Sequence, residues 1–321
     1  MIRRFLLSAL ILMAAGSCAP ALKDLKPSLG ATDSGTIWFA SAGSLPRSPD
    51  GSRFVPGDPV VLSGDLRFPS GNGPFPAMVI AHGCGGNGQV DAAWARTLRE
   101  WGYATFVIDS FGGRGLSEVC TNARLLTGTQ RIPDAYGALR VLATHPRIDA
   151  GRVALMGFSH GGILTLGAST VWARETFASA GRPAFRAFFP FFPYCNTVYP
   201  ERERISAPLR IHIGELDDWT PAASCIRLVE TLKAAGQDAA ITVYPGAHHG
   251  FPAEWLGFVR MRNVDNGSAC NARLASILGP TVSPASELER CLQKGATIAG
   301  NSEAAALSRQ NVRAQLLELM K

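Results

Sequence analysis

Short β-branched and aromatic runs recur along the chain from about residue 36, each followed by a stretch whose apolar residues repeat at helical spacing. Gly, Pro or Asp falls at the junctions. The pattern predicts strands over residues 36–40, 60–68, 77–82, 104–109, 153–157, 185–189, 209–214 and 241–244. Helices are expected over 90–101, 133–144, 160–172, 221–235 and 302–320. The runs Met78-Val79-Ile80-Ala81 and Phe106-Val107-Ile108 have no polar face, as central strands of a helix-covered parallel sheet must. Strand and helix in alternation therefore predict an α/β layer fold with a mostly parallel sheet. No repeat and no Pro/Ser/Gly-rich linker interrupts residues 36–250, so one domain is expected over 36–321. Residues 252–301 depart from the pattern: they are rich in Gly, Pro, Asn and Ser and carry Cys270 and Cys291. So long a stretch without periodicity is uncommon inside a compact domain, which makes it a stapled insertion or a flap before the last helix.

The N-terminus changes the picture. Arg3 and Arg4 precede an apolar run over 5–15, broken only by Ser8 and too short for the roughly 20 residues that span a bilayer. Residues 1–17 read as a secretory signal. Ala15, Gly16 and Ser17 lead into Cys18, an arrangement that resembles the bacterial lipobox with Ala15 where Leu is usual. It implies a lipid on Cys18; plain signal cleavage near Cys18 is the alternative. Residues 18–35 then form a tether, and the product is periplasmic or membrane-anchored, touching the membrane only through the lipid. Composition, 46% hydrophobic and 17% charged, excludes a disordered chain. The formal charge of +6 is scattered rather than striped, and part of it lies in the signal, so no nucleic-acid partner is expected. With Cys18 set apart, six cysteines are left, and an even set in an exported chain points to disulfides.

Candidate chemistry gathers at the strand ends. Gly157-Phe158-Ser159-His160-Gly161-Gly162 follows an apolar strand and opens a helix. Glycines on both sides let a serine occupy a sharp strand-to-helix turn, with its hydroxyl above the sheet and the His160 N–H facing the same cavity. Acyl transfer needs a second donor for the developing oxyanion. His82-Gly83-Cys84-Gly85-Gly86 ends an earlier central strand, and the Cys84 N–H is the expected partner of His160. Cys84 has no acid and base spaced around it, which argues against its being a nucleophile. Cys120 follows the adjacent strand at the same sheet edge, so Cys84 with Cys120 is the expected bridge. The same edge argument pairs Cys195 with Cys225, and Cys270 with Cys291 is left.

A serine nucleophile needs an imidazole oriented by a carboxylate. Gly214-Glu215-Leu216-Asp217-Asp218 follows a strand, and Gly246-Ala247-His248-His249-Gly250-Phe251 follows the next. Asp217 is favoured as the acid, with Asp218 the alternative or a cap for the helix expected from Pro221. His249 is favoured over His248. His82 reads as a loop-orienting donor, His145 as a helix-end residue and His212 as a buried strand residue. A zinc site at His248 and His249 lacks a third ligand, and no cofactor or metal is expected. Trp219, Phe192, Phe251 and Trp255 follow strand ends near the site and could wall an apolar pocket, or merely pack the core.

Together with Asp109-Ser110-Phe111-Gly112-Gly113-Arg114-Gly115, these motifs resemble the α/β-hydrolase superfamily and, within it, the dienelactone-hydrolase-like branch, over about residues 55–251. The resemblance implies an α/β-hydrolase fold and a triad of Ser159, Asp217 and His249. Two departures stand out: dienelactone hydrolases proper use a cysteine nucleophile, and the minimal fold has no counterpart of 252–301. The expectation is an exported serine hydrolase acting on a small carboxylic ester. The alternatives are a small-peptide or amide hydrolase, and a non-catalytic binding lipoprotein on the same scaffold.

Overall fold

The computed structural model describes residues 20–42, 58–178, 181, 183–279 and 281–321. The expected signal and Cys18 lie outside these residues. Strands β1 (Gly35–Ala42), β2 (Pro59–Arg67), β3 (Phe75–Ala81), β4 (Ala104–Asp109), β5 (Ile148–Phe158), β6 (Phe188–Phe191), β7 (Leu209–Gly214) and β8 (Ala239–Tyr244) form one sheet in the order β1-β2-β4-β3-β5-β6-β7-β8. The pairings of β2 with β1 and β4 are antiparallel, and all later ones are parallel. In β2 only Leu62, Gly64 and Leu66 are buried, alternating as in a strand with one covered face. In β3 and β7 burial is continuous, because helices cover both faces.

The flanking helices are α1 (Gln89–Glu100), α2 (Ile132–Leu142), α3 (His160–Ala168), α4 (Val171–Phe177), α5 (Ala222–Ala234), α6 (Ala285–Cys291) and α7 (Ser302–Leu319). The helix expected over 160–172 is in fact two. Thr170 ends the first by donating to the Gly167 carbonyl and caps the second by accepting from the Ala173 N–H at 3.1 Å. The tether is shorter than expected. Leu29 is buried in the core, and its N–H donates to Thr144 Oγ1 at 2.9 Å.

Residues 252–301 are not structureless. They carry α6 and an antiparallel ribbon of β9 (Val259–Asn266) and β10 (Gln293–Ile298). Main-chain bonds tie the ribbon to loops at the carboxyl edge of the sheet: Asp265 N–H to the Cys120 carbonyl at 3.1 Å and Ala299 N–H to the His249 carbonyl at 3.2 Å. The segment therefore packs along the sheet's carboxyl edge. Disulfides join Cys84 to Cys120, Cys195 to Cys225 and Cys270 to Cys291, consistent with an oxidising compartment. No helix among the described residues is long and apolar enough to cross a membrane.

Candidate active site

Ser159 occupies the turn between β5 and α3 at φ 53°, ψ −111°, a conformation that non-glycine residues rarely adopt. The neighbouring glycines are steric necessities. A Cβ on Gly157 would collide with the Gly161 carbonyl, and one on Gly161 with the Ala81 carbonyl. The turn brings Ser159 Oγ to 2.9 Å from His249 Nε2, and His249 Nδ1 lies 2.8 Å from Asp217 Oδ2. This bonding assigns the proton to Nδ1, which donates to the carboxylate, and leaves Nε2 to accept from the serine.

Asp217 is buried, and its carboxylate is fixed from several directions. Oδ1 accepts from the N–H groups of Trp219 at 2.9 Å and Thr220 at 2.7 Å, and the Thr220 hydroxyl lies 2.9 Å from Oδ2. An Asp accepting from the backbone two and three residues on is a recognisable turn signature, and it could have drawn attention to Thr220, which the sequence reading missed. Asp218 is no helix cap: α5 begins at Ala222, and Pro221 before it makes no side-chain cap. Asp218 points the other way instead, accepting from Thr297 N–H at 2.7 Å and from Arg260 at 2.6 Å, and so anchors the β9–β10 ribbon. His248 also turns away, its Nδ1 lying 3.1 Å from the Leu216 carbonyl.

Two aromatic rings hold the His249 imidazole. The Phe192 centroid is 4.6 Å away and that of Trp219 is 4.9 Å away. Phe192 has φ 37°, so a second strained residue places its ring. Trp219 is itself tied by Nε1–H to the Asp265 carbonyl at 2.8 Å. Trp255, about half exposed, lines the same cavity as Ser159, His249, Phe192 and Trp219. Phe251 does not. Gly250, at φ 75°, bends the chain after His249, and the Phe251 ring goes fully into the core against Phe191, Phe192 and Tyr244.

Below the turn lies a residue that no motif along the chain singles out. Arg131 is completely buried. Its guanidinium donates to the His82 carbonyl at 3.0 Å and to His160 Nδ1 at 2.8 Å, and it stacks 5.2 Å from the Phe111 ring. His160 Nε2–H donates in turn to the Leu126 carbonyl at 2.9 Å. Burial, reinforced by the Arg131 charge, pulls the His160 pKa down to about 3, so the ring stays neutral. His82 is held well below its ordinary value by the same causes, burial first. Its Nε2 accepts from the Ser110 N–H at 3.2 Å, so Nδ1 carries the proton and donates to the Gly83 carbonyl at 2.7 Å. The Gly83–Cys84 peptide plane is thus pinned by its oxygen, with the Cys84 N–H directed the opposite way. The Cys84–Cys120 bridge clamps the same loop, and Val119 N–H donates to the Cys84 carbonyl at 2.8 Å. The His160 N–H, first in α3, has no intrahelical acceptor. Among the described residues, no group of His, Cys, Asp and Glu is arranged to hold a metal ion.

Known proteins place the chain. The model of the dienelactone hydrolase family matches residues 62–256, more than half of its length. The chain belongs to the dienelactone hydrolase family. Hydrolysis is the reaction class that this membership carries. A carboxymethylenebutenolidase-like protein of Methylorubrum extorquens is 23% identical over 66% of this chain and 76% of its own length. Acylamino-acid-releasing enzyme 1 of rice (Oryza sativa subsp. japonica) is also 23% identical, over 59% of this chain but only 29% of that enzyme. Among solved structures, a dienelactone hydrolase-like promiscuous phosphotriesterase from metagenomic libraries superposes with a TM-score of 0.58 at 17% identity, covering 89% of this chain and all of that one. That likeness speaks for the shared α/β-hydrolase fold.

Proposed function

We propose that the protein is an exported serine hydrolase that cleaves carboxylic esters, with Ser159 as nucleophile, His249 as general base and acid, and Asp217 as its orienting carboxylate. The observation that carries this reading is the unbroken relay from Ser159 Oγ through His249 to Asp217, with hydrogen bonds of 2.9 and 2.8 Å. The Ser159 oxygen attacks the ester carbonyl while its proton passes to His249 Nε2. The backbone N–H groups of Cys84 and His160 hold the oxyanion; losing one such donor typically costs about 10²- to 10³-fold in rate. The intermediate collapses, His249 returns the proton to the departing alcohol, and an acyl-enzyme is left. Water, deprotonated by His249, then releases the acid. Apolar packing of His249 between Phe192 and Trp219 supports its positional fixity. Export by the residue 1–17 signal is supported by the three disulfides among the described residues, and the lipid on Cys18 rests on the lipobox-like run before it.

The test is p-nitrophenyl acetate turnover and fluorophosphonate labelling of the parent and of Ser159→Ala. Loss of both in a variant that melts at the parent's temperature is expected. An unlabelled, inactive parent would instead favour a binding protein on this scaffold, and retained turnover in the variant would mean another nucleophile. Amide hydrolysis is the second reading, supported by the match to the rice enzyme, and amide analogues in the same assay decide it.

A further inference from the structure

Ser159 lies where two cavities meet, and they are unlike in size and in which part of the site they touch. The smaller, about 350 Å³, contains His249 and is walled by Phe192, Trp255, Leu256 and Ile298. The larger, about 840 Å³, touches Ser159 and His160 and shares the Cys84–Cys120 bridge with the first, but His249 does not line it. In ester cleavage the leaving oxygen must receive its proton from the imidazole, so the alcohol occupies the side that the imidazole faces. The small cavity is then the alcohol side and the large one the acyl side.

The acyl side does not end at the large cavity. Thr127, His160, Ile163 and Tyr194 also line a further chamber of about 420 Å³ beside α3, so the two spaces adjoin. Its floor is Ile163, Leu166 and Leu228, and its roof is Leu274, Ile277 and Leu278 of the 252–301 segment. The roof is preformed: Val198 N–H donates to the Ala272 carbonyl at 2.8 Å, and Leu274 N–H donates back to the Val198 carbonyl at 2.9 Å. From Ser159 to Leu166 the helix rises about 10 Å, comparable to an extended medium-length acyl chain.

We propose that the acyl group of the substrate is an elongated apolar chain, of octanoyl length or longer, that runs from Ser159 beside α3 into the chamber roofed by Leu274, Ile277 and Leu278. This rests on the serine-hydrolase reading above and assigns the 252–301 segment a part in substrate selection. Acetyl, octanoyl and dodecanoyl esters of p-nitrophenol share one alcohol, so their kcat/KM ratios report the acyl side alone. Each buried methylene favours binding by roughly fourfold, and allowing for the ordering of the chain, octanoate should exceed acetate by about 30-fold or more.

Leu274→Trp fills the chamber, and the octanoate-to-acetate ratio should fall to within about threefold of unity, since the added ring occupies the space of several methylenes. Leu278→Trp serves the same purpose should the first variant fail to fold. A parent ratio near or below one overturns the proposal, as does a folded Trp variant that keeps the parent's ratio. Fluorophosphonate labelling separates the two levels. A labelled Ser159 with a flat chain-length profile refutes only the acyl chamber, whereas an unlabelled protein inactive on every ester refutes the hydrolase reading and the chamber with it.

Discussion

Replacing Arg131 by Met tests whether the buried guanidinium sets the geometry of the oxyanion peptide. The substitution removes the donors to the His82 carbonyl and to His160 Nδ1, at 3.0 and 2.8 Å. Two orphaned buried acceptors cost about 1–3 kcal/mol each. Against this, the charge itself is expensive where it sits. Its Nε and Nη2 have no hydrogen-bond partner, and burial lowers its pKa from 12.5 to about 10, a relief on removal of roughly 3 kcal/mol. The two contributions nearly offset, so stability should fall by no more than about 3 kcal/mol. Activity should not be spared in this way. His82 and His160 are the residues through which both proposed oxyanion donors are positioned, and once released the Gly83–Cys84 peptide can turn. A drop in kcat of about 100-fold is expected, with KM changed only a few-fold, because a misplaced oxyanion donor acts on the transition state. Urea unfolding gives the stability, and p-nitrophenyl ester kinetics give kcat and KM. A folded Arg131→Met protein with kcat within twofold of the parent would refute the reasoning. So would a loss carried entirely by KM.

The adjacent acids should separate cleanly. Asp217→Asn presents an amide to His249 Nδ1 and favours the wrong tautomer, for a loss near 10⁴-fold in kcat, while Asp218→Asn loosens only the partly exposed Arg260 and Thr297 contacts and should cost less than about tenfold and roughly 1 kcal/mol; the reverse ranking in ester kinetics would exchange their roles. Stability should fall on acidification through the buried neutral imidazoles: burial lowers both His160 and His212 from 6.5 to about 3, so their contribution is complete above pH 6.5 and is lost as the pH falls from there toward 3, with a slope of up to about 1.4 kcal/mol per pH unit for each. Asp91, raised by burial to about 6, acts in the opposite sense as the pH rises from 3.8 to 6, so the net slope is smaller than the sum. His212→Asn should flatten the urea-midpoint profile between pH 6.5 and 5, and an unchanged profile would show that His212 is not held neutral.

What was legible in the chain is what the hydrophobic effect writes locally. The strands over 104–109 and 209–214 coincide with β4 and β7 because their residues are buried on both faces and no other element competes for that pattern. The loops that follow the parallel strands all leave at one edge, so fixing the strands also placed Ser159, Asp217 and His249 together. Where the expectation slipped, a specific force prevailed. The strand expected over 185–189 lies at Phe188–Phe191 and runs through Pro190, a residue that ordinarily argues against an interior strand. Here Ser159 N–H donates to the Phe191 carbonyl at 3.0 Å and Phe192 N–H to the His212 carbonyl at 2.6 Å, so the ladder carries on around the missing donor. β9, Val-Arg-Met-Arg-Asn-Val-Asp-Asn, is mostly exposed and has no buried stripe to announce it. It is held by pairing to β10 and by Asp218, both distant in sequence.

Arg131 marks the deeper limit of such reading. In Thr-Gly-Thr-Gln-Arg-Ile-Pro-Asp it looks like a surface cation in a polar turn, and a fully buried arginine is rare enough that the exposed reading is the sound one. Its burial follows from tertiary contacts alone. The turn before α2 passes under the site because Gly128 fits against Ile163 of α3, where a Cβ would strike the Ile163 side chain at 2.5 Å. Asp134, one turn further on, is drawn inward by a bidentate pairing with Arg114 at 2.8 and 2.9 Å. That pair also explains a motif whose purpose the sequence left open: Arg114 donates to the Ser110 carbonyl at 2.7 Å, and Ser110 N–H is the group that fixes the His82 tautomer. Strand-end loops that look independent along the chain, 82–86, 109–115 and 128–134, are therefore parts of one hydrogen-bonded support beneath the serine, and a change in any of them should be felt at the Cys84 peptide before it is felt in the core.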